Sequence, residues 1–259
     1  MFYKLKVLTL NNSFLKRVVR KINTLIGQKN NIDNVTLVRT YAPKKSFADI
    51  GCLWGVNGLN SFIAEEVGAT RVIGVDVYPA NKEFIEEKEK RNSKIEFIEG
   101  DINSLDTTNK IGLCDVVLCS GVLYHTPDPV HLLTRLRSIC GETLILNTAS
   151  IPEMPGIQNG AVFYPFLKEG QRNIWNQGIG SQKSITGPYE PEEGYANWFW
   201  GMSPSSIESM LKCAGFEIEK KYIFPFRSVF VCKTVPIKFT AESGEWTTPK
   251  GGDSLKFRR

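Results

Sequence analysis

The sequence predicts an α/β protein with a doubly wound, mostly parallel sheet of seven strands. From residue 46 onward, short apolar runs typical of buried parallel strands alternate with amphipathic helical segments. Acidic or small polar residues follow the carboxyl ends of the first four strands, where open α/β sheets bind ligands. Two strand-like runs near the C-terminus, joined by a turn at Pro225, predict a closing hairpin with an antiparallel strand.

Local signals place each element along the chain. Pro79 is a predicted helix start, because proline suits the first helical turn. Asp128 is a predicted N-cap, with Pro129 as the first residue of the next helix. The predicted helices are 59–67, 79–91, 129–139 and 203–215. The predicted strands are 46–50, 71–77, 95–99, 115–119, 142–147, 216–222 and 228–233.

The regular alternation stops at residue 150, and an aromatic-rich segment fills 151–202. A stretch this long inside a domain is usually a lid or a binding insertion, and the alternative is a locally packed flap without a ligand. We therefore expect a substrate-binding insertion after strand five. Its nine aromatic residues are Phe163, Tyr164, Phe166, Trp175, Tyr189, Tyr195, Trp198, Phe199 and Trp200.

Charge divides the chain into unequal parts. The net charge is +5, but residues 1–45 carry +9 and the remainder carries −4. Apolar residues at helical spacing predict a basic amphipathic helix over 13–27, which we expect to pack on the main domain or line its cleft rather than bind a membrane surface. The predicted parts are a basic helical segment at 1–45, a main domain at 46–240 and a tail at 241–259.

The cysteine and apolar content favours a cytoplasmic protein without a membrane span. The six cysteines form no CxxC pair, and no apolar run approaches the ~20 residues that a spanning helix needs. No histidine, cysteine and carboxylate cluster has the spacing of a metal site, so no metal is expected.

The segment FADIGCLWGVNG at 47–58 resembles a phosphate-binding glycine loop with a substitution. Asp49 ends the strand and Gly51 and Gly55 follow it, but Leu53 replaces the middle glycine of the nucleotide-binding pattern. This loop alone is weak support for a cofactor site, because a turn after a strand could have the same sequence.

The ends of the next three strands strengthen the prediction. Asp76 ends the second strand 21 residues after Gly55, a distance at which a carboxylate can accept hydrogen bonds from ribose hydroxyls. Asp101 follows the third strand and could accept a hydrogen bond from the amino group of an adenine. Ser120 ends the fourth strand. The candidate cofactor-binding residues are Asp49, Gly51, Cys52, Gly55, Asp76, Val77, Asp101, Ile102, Ser120 and Tyr124.

This order of strand ends resembles the class I S-adenosylmethionine-dependent methyltransferases. In that family the first loop approaches the methionine part of the cofactor and not a diphosphate, so the middle glycine can be lost. The segments GVLYHTPDP (121–129) and NWFWGMSPSSIESMLKCAGFE (197–217) also look like the tRNA wobble-uridine carboxymethyltransferase family and its methyltransferase-like relatives. The resemblance covers roughly 46–235, places Tyr124 in a family motif and implies S-adenosylmethionine as the cofactor; the related tRNA enzymes use its carboxylated form.

His125 is the candidate catalytic residue. It follows the fourth strand, and its ordinary pKa suits a general base for a hydroxyl acceptor; alternatively it only fixes the loop. We expect methyl transfer to oxygen or nitrogen of a small-molecule or glycan-like acceptor. A tRNA-modifying methyl- or carboxymethyltransferase stays open as the alternative, and a non-catalytic binding protein is disfavoured by the acids Asp49, Asp76 and Asp101.

Overall fold

The protein is described by a computed structural model over residues 32–176, 188–224 and 226–236. Within these ranges it has an α/β fold with nine strands and seven α-helices. The strands are β1 Ser46–Ile50, β2 Arg71–Asp76, β3 Glu96–Glu99, β4 Cys114–Ser120, β5 Cys140–Ala149, β6 Ala161–Phe163, β7 Trp200–Met202, β8 Phe216–Phe224 and β9 Arg227–Thr234. The helices are α1 Asn34–Tyr41, α2 Leu59–Glu66, α3 Lys82–Lys90, α4 Leu105–Ile111, α5 Pro129–Ile139, α6 Glu169–Asn176 and α7 Pro204–Cys213.

Seven of the described strands form one sheet in the order β3-β2-β1-β4-β5-β9-β8. Neighbours from β3 to β5 are parallel, whereas β9 pairs antiparallel with both β5 and β8. The predicted doubly wound, mostly parallel sheet with its closing antiparallel hairpin is therefore confirmed. Strand order reverses between β1 and β4, which is the point where sheets of this type bind ligands.

Two apolar clusters cover the two faces of the sheet. Side chains alternate between faces along a strand, so Phe47 of β1 belongs to the cluster beneath α1, α2 and α3, and Ala48 belongs to the cluster beneath α5 and α7. Burial of these faces is the main stabilising contribution to the fold. The sheet is thereby a rigid support for the loops at its carboxyl edge.

Capping residues explain most helix boundaries. The Asp128 side chain accepts a hydrogen bond from the His131 N–H at 3.0 Å, and Ser203 caps α7 in the same way, which confirms both predicted starts. The predicted start of α3 at Pro79 is wrong, because the Asn81 side chain accepts from the Phe84 N–H at 2.9 Å and the helix begins at Lys82.

Three helices were not predicted from the sequence, and one of them, α6, lies in the insertion. Helix α1 lies within the predicted N-terminal segment, yet it buries Leu37 and Val38 in the core beside Phe47 of β1. Helix α4 connects β3 to β4. The predicted helix at 13–27 and the tail at 241–259 lie outside the described residues, as does Pro225 of the predicted turn.

The insertion contains structure of its own. Strands β6 and β7 pair antiparallel, and a short 3₁₀ helix spans Pro191–Ala196. Buried Tyr164 and Trp198 pack against Tyr124, which joins the insertion to the loop after β4. None of the helices in the described ranges has the length and apolar character required to cross a bilayer.

Candidate active site

A cavity of about 310 Å³ opens at the carboxyl ends of β1 to β4. Its walls are the loops that follow these four strands, together with Tyr195 and Ala196 of the insertion. The volume lies at the lower end of the range typical of small-molecule sites, roughly 300–1,000 Å³. The fold thus places a ligand-sized cavity at the expected reversal of strand order.

Eight of the eleven candidate residues line this cavity, and three do not. The three that do not are Asp49, Cys52 and Gly55: the first two are buried in the core and the third is exposed in the loop. The eight lining residues are Gly51, Asp76, Val77, Asp101, Ile102, Ser120, Tyr124 and His125.

The two loop glycines have different surroundings. Gly51 has a φ of +79°, and a Cβ there would lie 2.5 Å from Cγ2 of Val122 and 3.1 Å from the Ser120 carbonyl oxygen. Gly55 also has a positive φ, but a Cβ would meet nothing within 4 Å. Gly51 therefore allows the loop after β1 to approach the loop after β4, a role that Gly55 does not share.

Leu53 occupies the missing glycine's position without entering the cavity. Its side chain is buried in the core, and its backbone N–H donates to Oδ2 of Asp76 at 2.9 Å. The residue therefore uses only its backbone at the site, which explains how a large side chain is accommodated.

Asp49 lies behind the cavity wall. Its Oδ2 accepts from the Ser61 hydroxyl at 2.8 Å, while the buried Oδ1 has no partner among the described residues. Burial raises the pKa of this carboxyl to about 7, against the hydrogen bond from Ser61. The Asp49 side chain therefore does not line the cavity, although the sequence predicted that it would contact the cofactor.

Asp76 faces the cavity at the end of β2. Its two carboxylate oxygens accept from the backbone N–H groups of Leu53, at 2.9 Å, and Tyr78, at 3.1 Å. A carboxylate has about four acceptor positions, so the side chain retains capacity for further donors. Such an arrangement can accept hydrogen bonds from neighbouring hydroxyl groups.

Asp101 is held from two directions. Oδ1 accepts from the backbone N–H of Asn103 at 2.8 Å, and Oδ2 accepts from the Tyr195 hydroxyl at 2.6 Å. The buried Oδ1 of Asn103, another residue that lines the cavity, has no hydrogen-bond partner among the described residues. This end of the cavity therefore offers a carboxylate to a ligand that carries an amino group.

Ser120 connects the cavity to α1 through a hydrogen bond. Its Oγ accepts from Nδ2 of Asn34 at 3.0 Å, and Oδ1 of Asn34 accepts from Nδ2 of Asn147 at 2.8 Å. The first residue of α1 thereby ties the carboxyl ends of β4 and β5 together.

His125 presents one nitrogen for proton transfer. Its Nδ1 lies 2.8 Å from the carbonyl oxygen of Asn197. Because a carbonyl can only accept, Nδ1 carries the hydrogen, and the neutral ring leaves Nε2 as an acceptor. Burial lowers the pKa of His125, which favours this neutral form. The rings of His125 and Tyr124 are 4.2 Å apart between centroids, which fixes the imidazole against the loop.

The cavity also contains polar residues that sequence reasoning missed. Asn60, in the first turn of α2, is 3% exposed and lines the cavity, and no described residue bonds its side-chain amide. Tyr195 was identified only as one of the insertion's aromatic residues. A polar residue in the first turn of the helix after the glycine loop was the available sequence signal for Asn60. No local feature of the sequence indicated that Tyr195 would form a hydrogen bond with Asp101.

The charge of the cavity is one-sided. Asp76 and Asp101 line it, whereas the lining residues within the described ranges include no lysine or arginine. Among the same residues, no group of three His, Cys, Asp or Glu side chains could hold a metal ion. The electrostatics therefore favour a cationic ligand over an anionic one.

Comparisons with known proteins agree with this architecture. Residues 48–141 match the family described as "Methyltransferase domain". Over 98 residues the chain is 36% identical to a tRNA U34 carboxymethyltransferase of Campylobacter hominis, a match that covers 36% of this chain and 32% of that protein. The chain thus spans about a third of the length of that curated relative.

Solved structures share the fold over most of the chain. The N-terminal domain of EvdMO1 in the presence of SAH and D-fucose is 16% identical with a TM-score of 0.54, covering 78% of this chain and 82% of that chain. The 1,6-didemethyltoxoflavin-N1-methyltransferase of Burkholderia thailandensis, with bound 1,6-didemethyltoxoflavin and S-adenosylhomocysteine, is 14% identical with a TM-score of 0.53, covering 91% and 90%. Residues 48–141 thus match a methyltransferase domain, and the sheet order is the one expected for a class I methyltransferase fold, which these neighbours share.

Proposed function

We propose that this protein is an S-adenosylmethionine-dependent methyltransferase that acts on oxygen or nitrogen of a small-molecule or glycan-like acceptor. One observation carries the proposal: the cavity at the ends of β1 to β4 combines two carboxylates, Asp76 and Asp101, with no lysine or arginine among its described lining residues. A sulfonium cofactor is cationic at sulfur, so this charge suits it.

The lining residues have suitable chemistry for each part of the cofactor. Asp76 would accept hydrogen bonds from the ribose hydroxyls, and Asp101 would accept a hydrogen bond from the adenine amino group. The amide of Asn60 would serve the amino-acid end, since it is buried and no described residue bonds it. The residues present therefore fit S-adenosylmethionine.

The same charge pattern favours the plain cofactor over its carboxylated form. An added carboxylate would need a cationic or multiply donating partner, because an unpaired buried charge is costly. The described lining residues include no such cation, although Tyr124 occupies the family motif position. We therefore retain S-adenosylmethionine as the proposed cofactor.

His125 is the proposed general base for a hydroxyl acceptor. Bound S-adenosylmethionine supplies an electrophilic methyl group with a neutral thioether as the leaving group. Nε2 of His125 is the ring nitrogen left to take the acceptor proton, because the Asn197 carbonyl holds the hydrogen on Nδ1. The Tyr124 ring restricts the imidazole, and the Trp198 ring of the insertion lies 6.2 Å from it between centroids.

The aromatic insertion supports a small or glycan-like acceptor. Aromatic faces stack on flat rings and exclude water from the reacting groups. Phe163 and Phe166 of the insertion are exposed, and the Phe166 ring lies 5.1 Å from Tyr189 between centroids. The names of the two structural neighbours, one with a toxoflavin precursor and one in the presence of D-fucose, are compatible with such acceptors.

A tRNA acceptor is the second candidate, and the match to the tRNA U34 carboxymethyltransferase favours it. Residues 1–45 carry +9, which could contact phosphates, but the remainder of the chain sums to −4. A nucleic-acid footprint usually spreads lysine and arginine over a face of the body. The charge distribution therefore supports the small-molecule proposal.

Two measurements test the proposal. Mass spectrometry of the protein as purified should detect S-adenosylmethionine or S-adenosylhomocysteine, and detection of the carboxylated species would overturn the cofactor assignment. Retention on bulk tRNA at about 50 and 200 mM salt should be weak at both, since several phosphate contacts would make binding fall by orders of magnitude over this range. Tight low-salt binding that is lost at high salt, and abolished by deleting residues 1–30, would instead support the tRNA candidate.

A further inference from the structure

We propose that Tyr195 is a positioning residue of the cofactor site, supplied by the insertion, whose hydroxyl orients Asp101 for recognition of the adenine amino group. The inference rests on the proposed function, because it requires an adenosine-containing cofactor in the cavity. It adds a residue 94 positions away in the sequence to the adenine end of the site.

The contact between Tyr195 and Asp101 is short and well defined. The hydroxyl donates to Oδ2 of Asp101 at 2.6 Å, which is typical of a charge-assisted O–H···O bond. Nδ2 of Asn103 lies 3.4 Å from the same hydroxyl oxygen and 3.1 Å from Oδ1 of Asp101. Both carboxylate oxygens are therefore restrained by donors, which fixes the plane of the Asp101 carboxylate.

The insertion is built to hold Tyr195 in this position. Gly194, immediately before it, has a φ of +50° and a ψ of −123°, a turn that favours glycine. The side chain of Asn197 bridges back across the turn, donating to the Glu190 and Gly194 carbonyl oxygens at 2.7 and 3.0 Å. Asn197 is buried, so these bonds are shielded from water. The turn that presents Tyr195 is thus closed at both ends.

The chemistry of the hydroxyl suits a positioning role. Burial and the bond to Asp101 raise the pKa of Tyr195, so the hydroxyl keeps its proton and acts as a donor. Asp101 accepts from it and retains acceptor positions for an amino group. The adenine 6-amino group is a donor, whereas hypoxanthine has a carbonyl oxygen at that position, which a carboxylate repels. Orientation of Asp101 should therefore determine how well the site distinguishes the two bases.

The same segment also reaches the candidate base. Nδ1 of His125 bonds the carbonyl oxygen of Asn197, two residues after Tyr195. One short stretch of the insertion thus contacts Asp101 at one end and His125 at the other. The segment that holds Tyr195 against Asp101 therefore also holds His125, the proposed base for the acceptor.

Calorimetric titration with two ligands tests the inference. S-adenosylhomocysteine and S-inosylhomocysteine differ at position 6 of the base, and the ratio of their dissociation constants measures adenine recognition. In the wild-type protein we expect S-adenosylhomocysteine to bind at least about 10-fold more tightly. The Tyr195→Phe variant should reduce that ratio by about 3- to 10-fold, mainly by weakening S-adenosylhomocysteine.

Matched variants separate positioning from general structure. Tyr164→Phe removes a buried hydroxyl that has no partner among the described residues of the same insertion, and it should leave the ratio unchanged. Asp101→Asn should reduce the ratio as well, and the double variant Tyr195→Phe/Asp101→Asn should lose no more than the larger single loss, because both changes act on one interaction.

Several results would overturn the inference. An unchanged ratio in folded Tyr195→Phe, equal weakening of both ligands, or additive losses in the double variant would each show that Tyr195 does not act through Asp101. Tighter binding of S-adenosylhomocysteine by Tyr195→Phe would show that the hydroxyl competes with adenine. If the wild-type protein bound neither ligand, the proposed function itself would fail, a result distinct from all of these.

Discussion

Two aspartates at neighbouring strand ends have different environments, although both were predicted to bind the cofactor. Asp76 accepts from the Leu53 and Tyr78 N–H groups and still faces the cavity. Asp49 lies one strand away, fully buried, with Ser61 as its hydrogen-bond donor. The sequence marks both as strand-terminal acids, but only the pleat and the loop path decide which carboxylate reaches the cavity.

The buried Asp49 carboxyl should make the free energy of unfolding depend on pH. Its pKa of about 7 in the folded protein lies well above the ordinary value of 3.8, so the folded state holds a proton that the unfolded state releases. The stabilising contribution is present below about pH 4 and is lost as pH rises through 7. The Asp49→Asn variant cannot ionise, so its free energy of unfolding relative to wild type should rise by about 2–4 kcal/mol between pH 4 and 8.

Urea unfolding of the apo proteins at several pH values measures this difference. Because the wild type and the Asp49→Asn variant share all other acidic residues, the effects of those residues cancel in the difference between the two free energies of unfolding. A difference that stays constant across the range would mean that Asp49 remains ionised in the folded protein.

Substitution of His125 should lower the turnover number with little loss of cofactor affinity. If Nε2 takes the acceptor proton, His125→Ala should lower kcat by about 10²–10⁴-fold while affinity for S-adenosylhomocysteine stays near normal. In the wild type, kcat/KM should be level above about pH 6.5 and decline at lower pH, because burial lowers the pKa of His125.

The other histidine provides the control for this experiment. His131 lies in α5 with Nε2 near the Asn103 carbonyl oxygen, and it does not line the cavity. His131→Ala should therefore keep most of the wild-type kcat. Equal losses in the two variants, or weakened cofactor binding in His125→Ala alone, would assign His125 another role.

Elements with strong local signals were predicted well, and weakly marked ones were missed. Strands β2 and β4 each contain four consecutive apolar or glycine residues, at 72–75 and 116–119, and α5 has both its cap at Asp128 and a proline in its first turn. Helix α4, with sequence LDTTNKI, has few strong helix formers and depends on tertiary burial of Ile111. Helix α3 was predicted to begin at Pro79, whereas its N-cap is Asn81, a signal that the sequence analysis did not use.

Two glycine substitutions in the loop between β1 and α2 should lower the free energy of unfolding by different amounts. Gly51→Ala and Gly55→Ala both introduce a side chain at positive φ, which costs about 1–2 kcal/mol. Only at Gly51 does the new Cβ clash with Val122 and the Ser120 carbonyl. We expect Gly51→Ala to lose about 1–3 kcal/mol more free energy of unfolding than Gly55→Ala.

Chemical denaturation and cofactor titration of the two variants check this prediction. Gly51→Ala should also weaken S-adenosylhomocysteine binding, because the loops after β1 and β4 must separate at the cavity wall. Equal stability of the two variants would contradict the close approach assigned to Gly51.

Across the whole molecule, the sequence predicted the location of the cavity better than the complete set of residues that line it. The four strand ends follow from chain order and sheet topology, which made Asp76, Asp101 and Ser120 identifiable. Tyr195 and Asn60 could not be assigned in the same way. Tyr195 reaches Asp101 only through the folded insertion, and Asn60 becomes a lining residue only because α2 starts beside the cavity.

The most direct test of the account is calorimetric titration of S-adenosylhomocysteine into the wild-type, Asp76→Ala and Asp115→Ala proteins. Asp115 accepts two hydrogen bonds from Ser46 at the opposite end of the sheet, so it matches Asp76 in residue type but not in place. We expect one site in the wild type, affinity weaker by ~1.5–3 kcal/mol in Asp76→Ala, and wild-type affinity in Asp115→Ala. Undiminished affinity in a folded Asp76→Ala protein, or no binding by the wild type, would contradict the account.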